Sequence, residues 1–272
     1  MMRVEYEDRL RPVSSRQNSR VKELRHLFYE ASPNQRGEIA IEGVHLLQEA
    51  IRSGLRVETV FFAESAKRRA DKLLPQLSSH VGVLLLPDQV FASAVPSETP
   101  QGVAGIVKVK AFDVEDVFSP PPALIVVCAG IQDPGNLGTI VRSAEAFGAT
   151  GVLLGDGSVS QWNWKAIRAS AGSMFRLPAV KTELAAAVQA SKLRGLWVLA
   201  TASHKGSAVS GVDLRAPLAI VVGNEGAGIP QSILALADQI VAIPQAANVE
   251  SLNAGVAASV ILYEAARQRS VP

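Results

Sequence analysis

The stretch that decides the fold is residues 217–269, PLAIVVGNEGAGIPQSILALADQIVAIPQAANVESLNAGVAASVILYEAARQR. It begins with 218–222, an apolar run rich in β-branched residues, and Gly223 ends this run. The pattern predicts a buried strand that leads directly into a loop. Residues 239–243 predict a second strand, which ends at Pro244. Both strands therefore run into loops that are suited to a ligand.

The loop after the first of these strands is rich in glycine. Gly223, Gly226 and Gly228 allow positive φ angles and a close approach of the backbone to a ligand. Asn224 and Glu225 place one amide and one carboxylate on the same loop. The sequence has no acidic ribose partner of a dinucleotide loop, no Walker-type motif and no nucleophile elbow. The loop therefore predicts a ligand site of another kind.

The last predicted helix runs from residue 252 to about residue 269, with Ser251 as its N-cap. Its first turns are crowded with small residues, namely Ala254, Gly255, Ala257, Ala258 and Ser259. Small side chains let another backbone approach closely, although ordinary packing on a sheet is the simpler explanation of such a helix.

Composition is typical of a two-domain α/β protein. The 272 residues are 48% hydrophobic, 19% charged and 5% aromatic, and predicted strands alternate with predicted helices, which favours parallel sheet. A chain of this length has room for two domains. The single cysteine, Cys128, cannot form an internal disulfide, which favours a reducing cytoplasm.

Several kinds of site and location are not expected. The charged residues 1–25 lack the apolar stretch of a signal peptide, and no segment has about 18 consecutive apolar residues. We therefore expect a cytoplasmic protein without a membrane span. The four histidines are scattered and lack nearby Cys or His partners, so we expect no metal site.

A proline-rich segment predicts the domain boundary. Residues 118–123, FSPPPA, contain three prolines that no strand or helix interior tolerates. We therefore predict a first domain at 1–117, a linker at 118–123 and a second domain at 124–272. Within the first domain the pattern predicts an amphipathic helix at 19–29 and strands at 37–41, 57–63, 81–86 and 102–109.

Positive charge gathers in the first domain, although the net charge of the chain is only +2. Arg20, Lys22 and Arg25 lie on the polar face of the first predicted helix. Exposed helices usually carry such charge, so it is weak evidence for RNA when taken alone. Farther along, 158–175 combines two tryptophans with Arg168, a pattern that suits RNA stacking and phosphate contact as well as it suits core packing.

The second domain opens with a strand at 124–129, a turn at Pro134 and a helix from about Leu137. Asn136 and Arg142 fall here in the pattern Asn-x-Gly-x-x-x-Arg. Taken separately, such an asparagine is usually a helix cap and such an arginine is usually a solvated charge.

Taken together, three segments resemble the motifs of the SpoU-type (SPOUT, TrmH-like) RNA 2′-O-ribose methyltransferases. They are Asn-x-Gly-x-x-x-Arg, then Asn-Glu-Gly with Ile-Pro, then Ser-Leu-Asn, in that order. The phrases IEGVHLLQEAI and PQGVAGIV are similar to the substrate-binding module of the same family. The resemblance implies a C-terminal parallel-sheet domain with a deep trefoil knot and a smaller, ribosomal-protein-like N-terminal α/β domain.

The resemblance also implies an activity and its partners. It implies a homodimer that takes S-adenosyl-L-methionine as methyl donor and methylates a ribose 2′-hydroxyl in RNA. The N-terminal module favours 23S ribosomal RNA as the substrate. Two alternatives remain open: a tRNA 2′-O-methyltransferase, and a non-catalytic RNA-binding or ribosome-assembly protein of the same fold.

The resemblance carries over roles for individual residues. The catalytic group comprises Arg142, Asn136, Glu225, Ser251 and Asn253. Arg142 would stabilise developing charge on the oxygen, because a guanidinium does not serve as a base in proteins, and Asn136 would fix the geometry around it. The resemblance implies that Gly223, Ile243 and Leu252 bind the cofactor. We add Asn224 and Gly226 of the glycine loop, and Ala202, which ends a predicted strand at 196–202 where open α/β sheets bind ligands. Residues implied for RNA binding are Arg20, Lys22, Arg25 and Arg168.

The third motif departs from the family pattern at three positions. Gln245, Ala247 and Asn248 replace the methionine, glycine and small residue often found there. We expect these departures to affect the choice of substrate or the shape of the loop rather than methyl transfer itself.

Overall fold

The structure, a computed structural model, describes residues 9–246 and 250–270. Internal contacts divide the chain into two units. The first is Met1–Ala111 with Trp162–Phe175, and the second is Phe112–Gln161 with Arg176–Pro272.

This division differs from the predicted one at two places. Residues 112–123, which include the predicted linker 118–123, join the second unit, because Val117, Phe118 and Ala123 are buried in its core. The segment Trp162–Phe175 joins the first unit, because Ile167 and Phe175 are buried in the core of that unit.

Ten α-helices and twelve strands are present in the described ranges. The helices are α1 Ser19–Glu30, α2 Val44–Arg52, α3 Lys67–Leu73, α4 Asp88–Ala92, α5 Val114–Val117, α6 Pro134–Ala146, α7 Trp164–Ala169, α8 Leu184–Leu193, α9 Gln231–Leu234 and α10 Ala254–Arg269. The strands are β1 Arg11–Pro12, β2 Glu38–Glu42, β3 Arg56–Ala63, β4 Gly82–Leu86, β5 Val103–Lys108, β6 Leu124–Ala129, β7 Gly151–Leu154, β8 Ala179–Lys181, β9 Trp197–Ala202, β10 Ser207–Ala208, β11 Leu218–Gly223 and β12 Gln239–Ala242.

The first unit is built on a mixed five-stranded sheet in the order β1-β4-β3-β5-β2. Strands β3 and β4 are parallel, whereas β5 runs antiparallel to both β2 and β3. Helix α1 buries Val21, Leu24, Leu27 and Phe28 against this unit's core, as its apolar spacing predicts. The side chain of Asn18 caps it by accepting a hydrogen bond from the N–H of Arg20.

The second unit contains a seven-stranded sheet in the order β10-β12-β9-β11-β6-β7-β8. Every neighbouring pair in this sheet is parallel. All six residues of β6 are buried, because helices cover both faces of a parallel sheet and its central strands read as continuous apolar runs. Cys128 lies in this strand, and burial raises the pKa of its thiol to about 12.

Two predicted helix starts are wrong. Helix α6 begins at Pro134 rather than near Leu137, since the N–H that proline lacks has no partner in a first helical turn anyway. Helix α10 begins at Ala254, and its N-cap is Asn253 rather than Ser251. The Asn253 side chain accepts a hydrogen bond from the N–H of Val256 at 3.2 Å, which settles the choice of cap.

No helix within 9–246 and 250–270 has the length and apolar character needed to cross a bilayer. In the same residues, no three His, Cys, Asp or Glu side chains are grouped so that they could hold a metal ion.

Candidate active site

A cavity of about 290 Å³ lies at the carboxyl ends of β9, β11 and β12, which are neighbours in the sheet. This is the edge where open parallel sheets bind ligands. Predicted site residues line this cavity, which we call the cofactor cavity after the ligand predicted for it; they are Ala202, Gly223, Asn224, Glu225, Ile243, Ser251 and Leu252. Three loops, those that follow β9, β11 and β12, therefore meet around one space.

The glycine loop after β11 folds back on itself at the cavity wall. A Cβ on Gly223 would lie 2.6 Å from the carbonyl carbon of Gly228, so only glycine fits there. The Asn224 carboxamide holds the turn, since its Oδ1 accepts hydrogen bonds from the N–H groups of Gly226 at 2.9 Å and Ala227 at 3.0 Å. Gly226 itself does not line the cavity, although it was predicted to contact the cofactor.

Asn136 joins three elements of the second unit. It lies in the first turn of α6 and is 8% exposed. Its Nδ2 donates to Oε1 of Glu225 on the glycine loop. Its Oδ1 accepts from Nδ2 of Asn253, at the start of α10, at 2.7 Å. The predicted catalytic residues Asn136, Glu225 and Asn253 thus form one hydrogen-bonded chain, which we call the asparagine bridge.

Arg142 stands apart from this bridge. It is exposed on α6 and does not line the cofactor cavity, and its guanidinium has no hydrogen bond or ion pair with any residue in the described ranges. Because six helical residues turn through about 240°, Asn136 and Arg142 face different directions. The prediction that Asn136 fixes the geometry around Arg142 is therefore wrong, since the Asn136 amide bonds to Glu225 and Asn253 instead.

The walls of the cofactor cavity are mostly apolar, and two of the polar side chains among them, those of Glu225 and Gln245, have properties that bear on a ligand. Among the described residues that line it, Glu225 is the only one with a charged side chain. The Oε1 atom of Gln245 is buried and has no hydrogen-bond partner among the described residues, while its Nε2 donates to the carbonyl of Ser203 at 3.3 Å. Such an acceptor can take a hydrogen bond from a ligand or from water.

The sequence marks Gln245 only as a departure from the family pattern and does not indicate that it lines the cavity. Its exposure to the cavity depends on how the loop after β12 folds, which no spacing reveals. The other two departures, Ala247 and Asn248, lie outside the described residues.

The predicted RNA-binding residues of the first unit fall into two classes. Arg20 pairs with Glu23 at 2.7 Å, and Nε of Arg25 donates to the carbonyl of Ser93 at 2.8 Å. Lys22 and Arg168 are exposed, and neither side chain has a hydrogen bond or ion pair in the part of the chain that the structure describes. Lys22 and Arg168 are therefore the two whose charged groups are not paired within those residues.

Comparison with known families identifies the family of the chain. The model of the SpoU rRNA Methylase family matches residues 123–263, more than half of the chain. The chain belongs to the SpoU rRNA methylase family. A second model, of the MRM3-like substrate binding domain, matches residues 18–105. The predicted family is thereby confirmed for both parts of the chain.

Relatives of this SpoU-family chain align over almost its whole length. It is 30% identical over 254 residues to the 23S rRNA (guanosine(2553)-2′-O)-methyltransferase RlmP of Bacillus subtilis (strain 168), which covers 93% of this chain and 98% of the relative. It is 32% identical over 269 residues to the 23S rRNA (uridine(2479)-2′-O)-methyltransferase of Streptomyces viridochromogenes, with 95% and 93% coverage.

Solved structures agree with this fold. The SpoU methyltransferase AviRb from Streptomyces viridochromogenes, in complex with the cofactor AdoMet, superposes with a TM-score of 0.80 at 29% identity, covering 94% of this chain and 99% of that one. An RNA 2′-O ribose methyltransferase gives a TM-score of 0.83 at 30% identity, covering 95% and 99%. The predicted fold, a parallel-sheet α/β domain with an N-terminal α/β domain, is confirmed, and the trefoil knot stays a prediction.

A test of the asparagine bridge is the Asn136→Asp variant. The new carboxylate would face Glu225 in place of the donating amide, so we expect a loss of about 1–3 kcal/mol in unfolding free energy near pH 8. Repulsion raises the folded pKa of one of the two carboxyls above its unfolded value, so stability should recover as the pH falls towards 5.

Urea unfolding at both pH values measures the effect, and Asn136→Ala is the uncharged control. If both variants lose the same stability at both pH values, the carboxylates do not face each other as the bridge requires.

Proposed function

We propose that this protein transfers the methyl group of S-adenosyl-L-methionine to a ribose 2′-hydroxyl of 23S ribosomal RNA in the cytoplasm. The observation that carries the proposal is the cavity at the ends of β9, β11 and β12, in a chain that aligns end to end with two methyltransferases named for that reaction. The match to a substrate-binding domain at residues 18–105 favours ribosomal RNA over the alternative of tRNA.

The cofactor cavity has the features that S-adenosyl-L-methionine needs. Its volume of about 290 Å³ and its apolar walls, which include Val222, Ile229 and Leu252, suit an adenosyl group. The Glu225 carboxylate suits the positive charge of the ligand, and the absence of a side chain at Gly223 lets the glycine loop fold back on itself at the cavity wall. Oε1 of Gln245 offers an acceptor to a ligand hydroxyl or amino group.

The bound cofactor supplies an electrophilic methyl group on a sulfonium. The residues of this chain have to place the ribose oxygen in line with it and stabilise the charge that develops on that oxygen. Arg142 suits the second task, since its guanidinium stays charged and has no partner in the described ranges. The asparagine bridge holds the glycine loop and the start of α10 in fixed positions beside the cavity.

Gln245→Met tests the cofactor cavity at the position where this chain departs from its family. Methionine has a similar volume but no oxygen, so affinity for S-adenosyl-homocysteine should fall about fivefold, the value of one hydrogen bond. The unliganded protein should lose little stability, because the variant removes a buried acceptor without a partner and only one long hydrogen bond, that from Nε2 to the carbonyl of Ser203 at 3.3 Å.

Isothermal calorimetry and thermal unfolding measure the two effects separately. Unchanged affinity in Gln245→Met would remove Gln245 from the cofactor site.

We further propose that the protein is a homodimer, in which α10 contributes to the interface. Val256, Val260 and Tyr263 are large apolar residues that lie 46%, 38% and 55% exposed along one side of α10. Their spacing of four and three residues makes one helical face. The ring of Tyr263 packs edge-on against Phe147, with centroids 5.8 Å apart, so its orientation on this face is set by that contact.

Val260→Lys should convert the dimer into a monomer, because a lysine ammonium would be buried without a partner at the interface. Sedimentation equilibrium measures the change, with Leu193→Lys as the control, since Leu193 is 86% exposed on another helix. A wild-type protein that sediments as a monomer would contradict the dimer.

The substrate and the atom modified can be mapped directly. Total RNA from cells with and without the gene should differ in one 2′-O-methyl site in 23S rRNA, detected as resistance to alkaline cleavage. A difference confined to tRNA would support the tRNA alternative, and no difference would support a non-catalytic role.

A further inference from the structure

The first unit contains a second cavity, of about 130 Å³, that methyl transfer does not use. It lies where β2 ends and α2 begins, and the loop between α4 and β5 and helix α7 complete its wall. Its polar and aromatic lining includes Glu42, Ser97, Gln101, Trp164 and Arg168. We call this cavity the base pocket.

Glu42 is the acceptor of the base pocket. Its Oε2 accepts a hydrogen bond from Oγ of Ser97 at 2.6 Å, and the backbone N–H of Gln101 also donates to the carboxylate. A carboxylate has about four acceptor positions, so about two remain for a ligand. Burial raises the pKa of Glu42, against the opposing effects of Ser97, Gln101 and Arg168. A partly desolvated carboxylate of this kind gains from a further donor.

The rest of the lining suits a nucleotide. The buried side chains of Phe28 and Leu46 form apolar walls. Trp164, which is partly buried and packs against the core of the unit, forms another. At the edge lies Arg168, whose exposed guanidinium has no hydrogen bond or ion pair in the described ranges. Aromatic walls and a free arginine are what proteins present to unpaired RNA bases and their phosphates.

The size of the base pocket and the acceptor that Glu42 provides together favour one of the four RNA bases. A cavity of roughly 150 Å³ holds a benzene ring, so a cavity of about 130 Å³ suits one six-membered ring better than the two fused rings of a purine. A glutamate that reads a pyrimidine accepts from the N4 amino group of cytosine. Uracil has a carbonyl oxygen at the same ring position, which would face the Glu42 carboxylate.

We propose that the base pocket holds one unpaired cytosine of the RNA substrate, with its amino group donating to Glu42 and a neighbouring phosphate contacting Arg168. The inference rests on the proposed function, because it takes RNA as the substrate. It adds a site of sequence readout in the first unit, separate from the methyl-transfer chemistry.

Binding of two five-nucleotide RNAs, AACAA and AAUAA, to the full chain without cofactor tests the proposal by fluorescence anisotropy. Wild-type protein should bind the cytosine RNA about tenfold more tightly. Glu42→Gln should bind both within twofold of each other, because a carboxamide can donate to uracil as well as accept from cytosine. Arg168→Ala should weaken both to the same degree and keep their ratio.

The matched control is Glu64→Gln, which removes an exposed carboxylate of the same unit outside the pocket and should leave both affinities unchanged. Ser97→Ala removes only the hydroxyl that orients Glu42, so it should reduce the ratio of the affinities for AACAA and AAUAA. It replaces Glu42→Gln in the test if that variant does not fold. Free cytidine 5′-monophosphate is the competitor. If a lower concentration of cytidine 5′-monophosphate than of unlabelled AACAA displaces the labelled AACAA, the pocket is a site for a free nucleotide.

Equal binding of the two RNAs by wild-type protein, no detectable binding of either, or an intact preference in Glu42→Gln would overturn the base pocket. These outcomes are independent of methyl transfer. A protein that methylates rRNA without any preference for cytosine refutes the base pocket alone, and a preference that depends on Glu42 without any methyl transfer refutes the proposed function alone.

Discussion

Arg142→Ala should lower the rate of methyl transfer about 10²–10³-fold, the usual loss when one group that stabilises a developing oxyanion is removed. Affinity for S-adenosyl-homocysteine should stay within twofold of wild type, because Arg142 does not line the cofactor cavity. Stability should hardly change, since the side chain is exposed and has no partner in the described part of the chain. Single-turnover transfer and calorimetry measure the two effects.

Arg142→Lys is the control that separates charge from shape. Lysine keeps the positive charge but loses the planar fork, so it should recover part of the rate if electrostatic stabilisation dominates. A fall in cofactor affinity as large as the fall in rate would place Arg142 in the cofactor site and contradict its assigned role.

Gly223→Ala should lower affinity for S-adenosyl-homocysteine more than tenfold. The added methyl group would lie 2.6 Å from the carbonyl carbon of Gly228 and 2.8 Å from Ile229, so the glycine loop must shift away from its position at the cavity wall. Overpacking of this kind also costs about 1–3 kcal/mol in unfolding free energy. Calorimetry and urea unfolding report both losses.

Gly211→Ala is the matched control in the same unit, because a Cβ at that position would meet no atom within 4 Å. It should leave affinity and stability unchanged. If Gly223→Ala binds the cofactor as tightly as this control, the glycine loop does not form part of the site.

The buried strands of the second unit could be predicted from the sequence. Strands β6 and β11 are covered on both faces, so each reads as an unbroken apolar run that ends at a change of composition. The cavity then follows from where the strands end, since parallel strands place their following loops at one edge. The membership of Glu225, Ser251 and Leu252 in one cavity came from the family resemblance rather than from any local pattern.

Long-range contacts could not be predicted in this way. Asn136 bonds to Glu225, 89 residues away, and to Asn253, 117 residues away, and no local pattern encodes which side chains meet across such distances. The segment Trp162–Phe175 packs with the first unit for the same reason, because an apolar spacing reveals that a face is buried and not which core buries it.

The start of the last helix, α10, was predicted wrongly for a local reason. Ser251 and Asn253 are both good N-caps two residues apart, and the choice between them depends on the backbone that enters the helix rather than on residue type.

The central claim is that the cofactor cavity directs methylation to a ribose oxygen. The most direct measurement is transfer of labelled methyl to two 23S rRNA fragments that are identical except for a 2′-deoxy sugar at the mapped nucleotide. The deoxy fragment should bind with only a modest loss, because most contacts are to phosphates and bases, and it should accept no methyl group. Transfer to the deoxy fragment at a rate near that of the ribose control would contradict the account and point to methylation of a base.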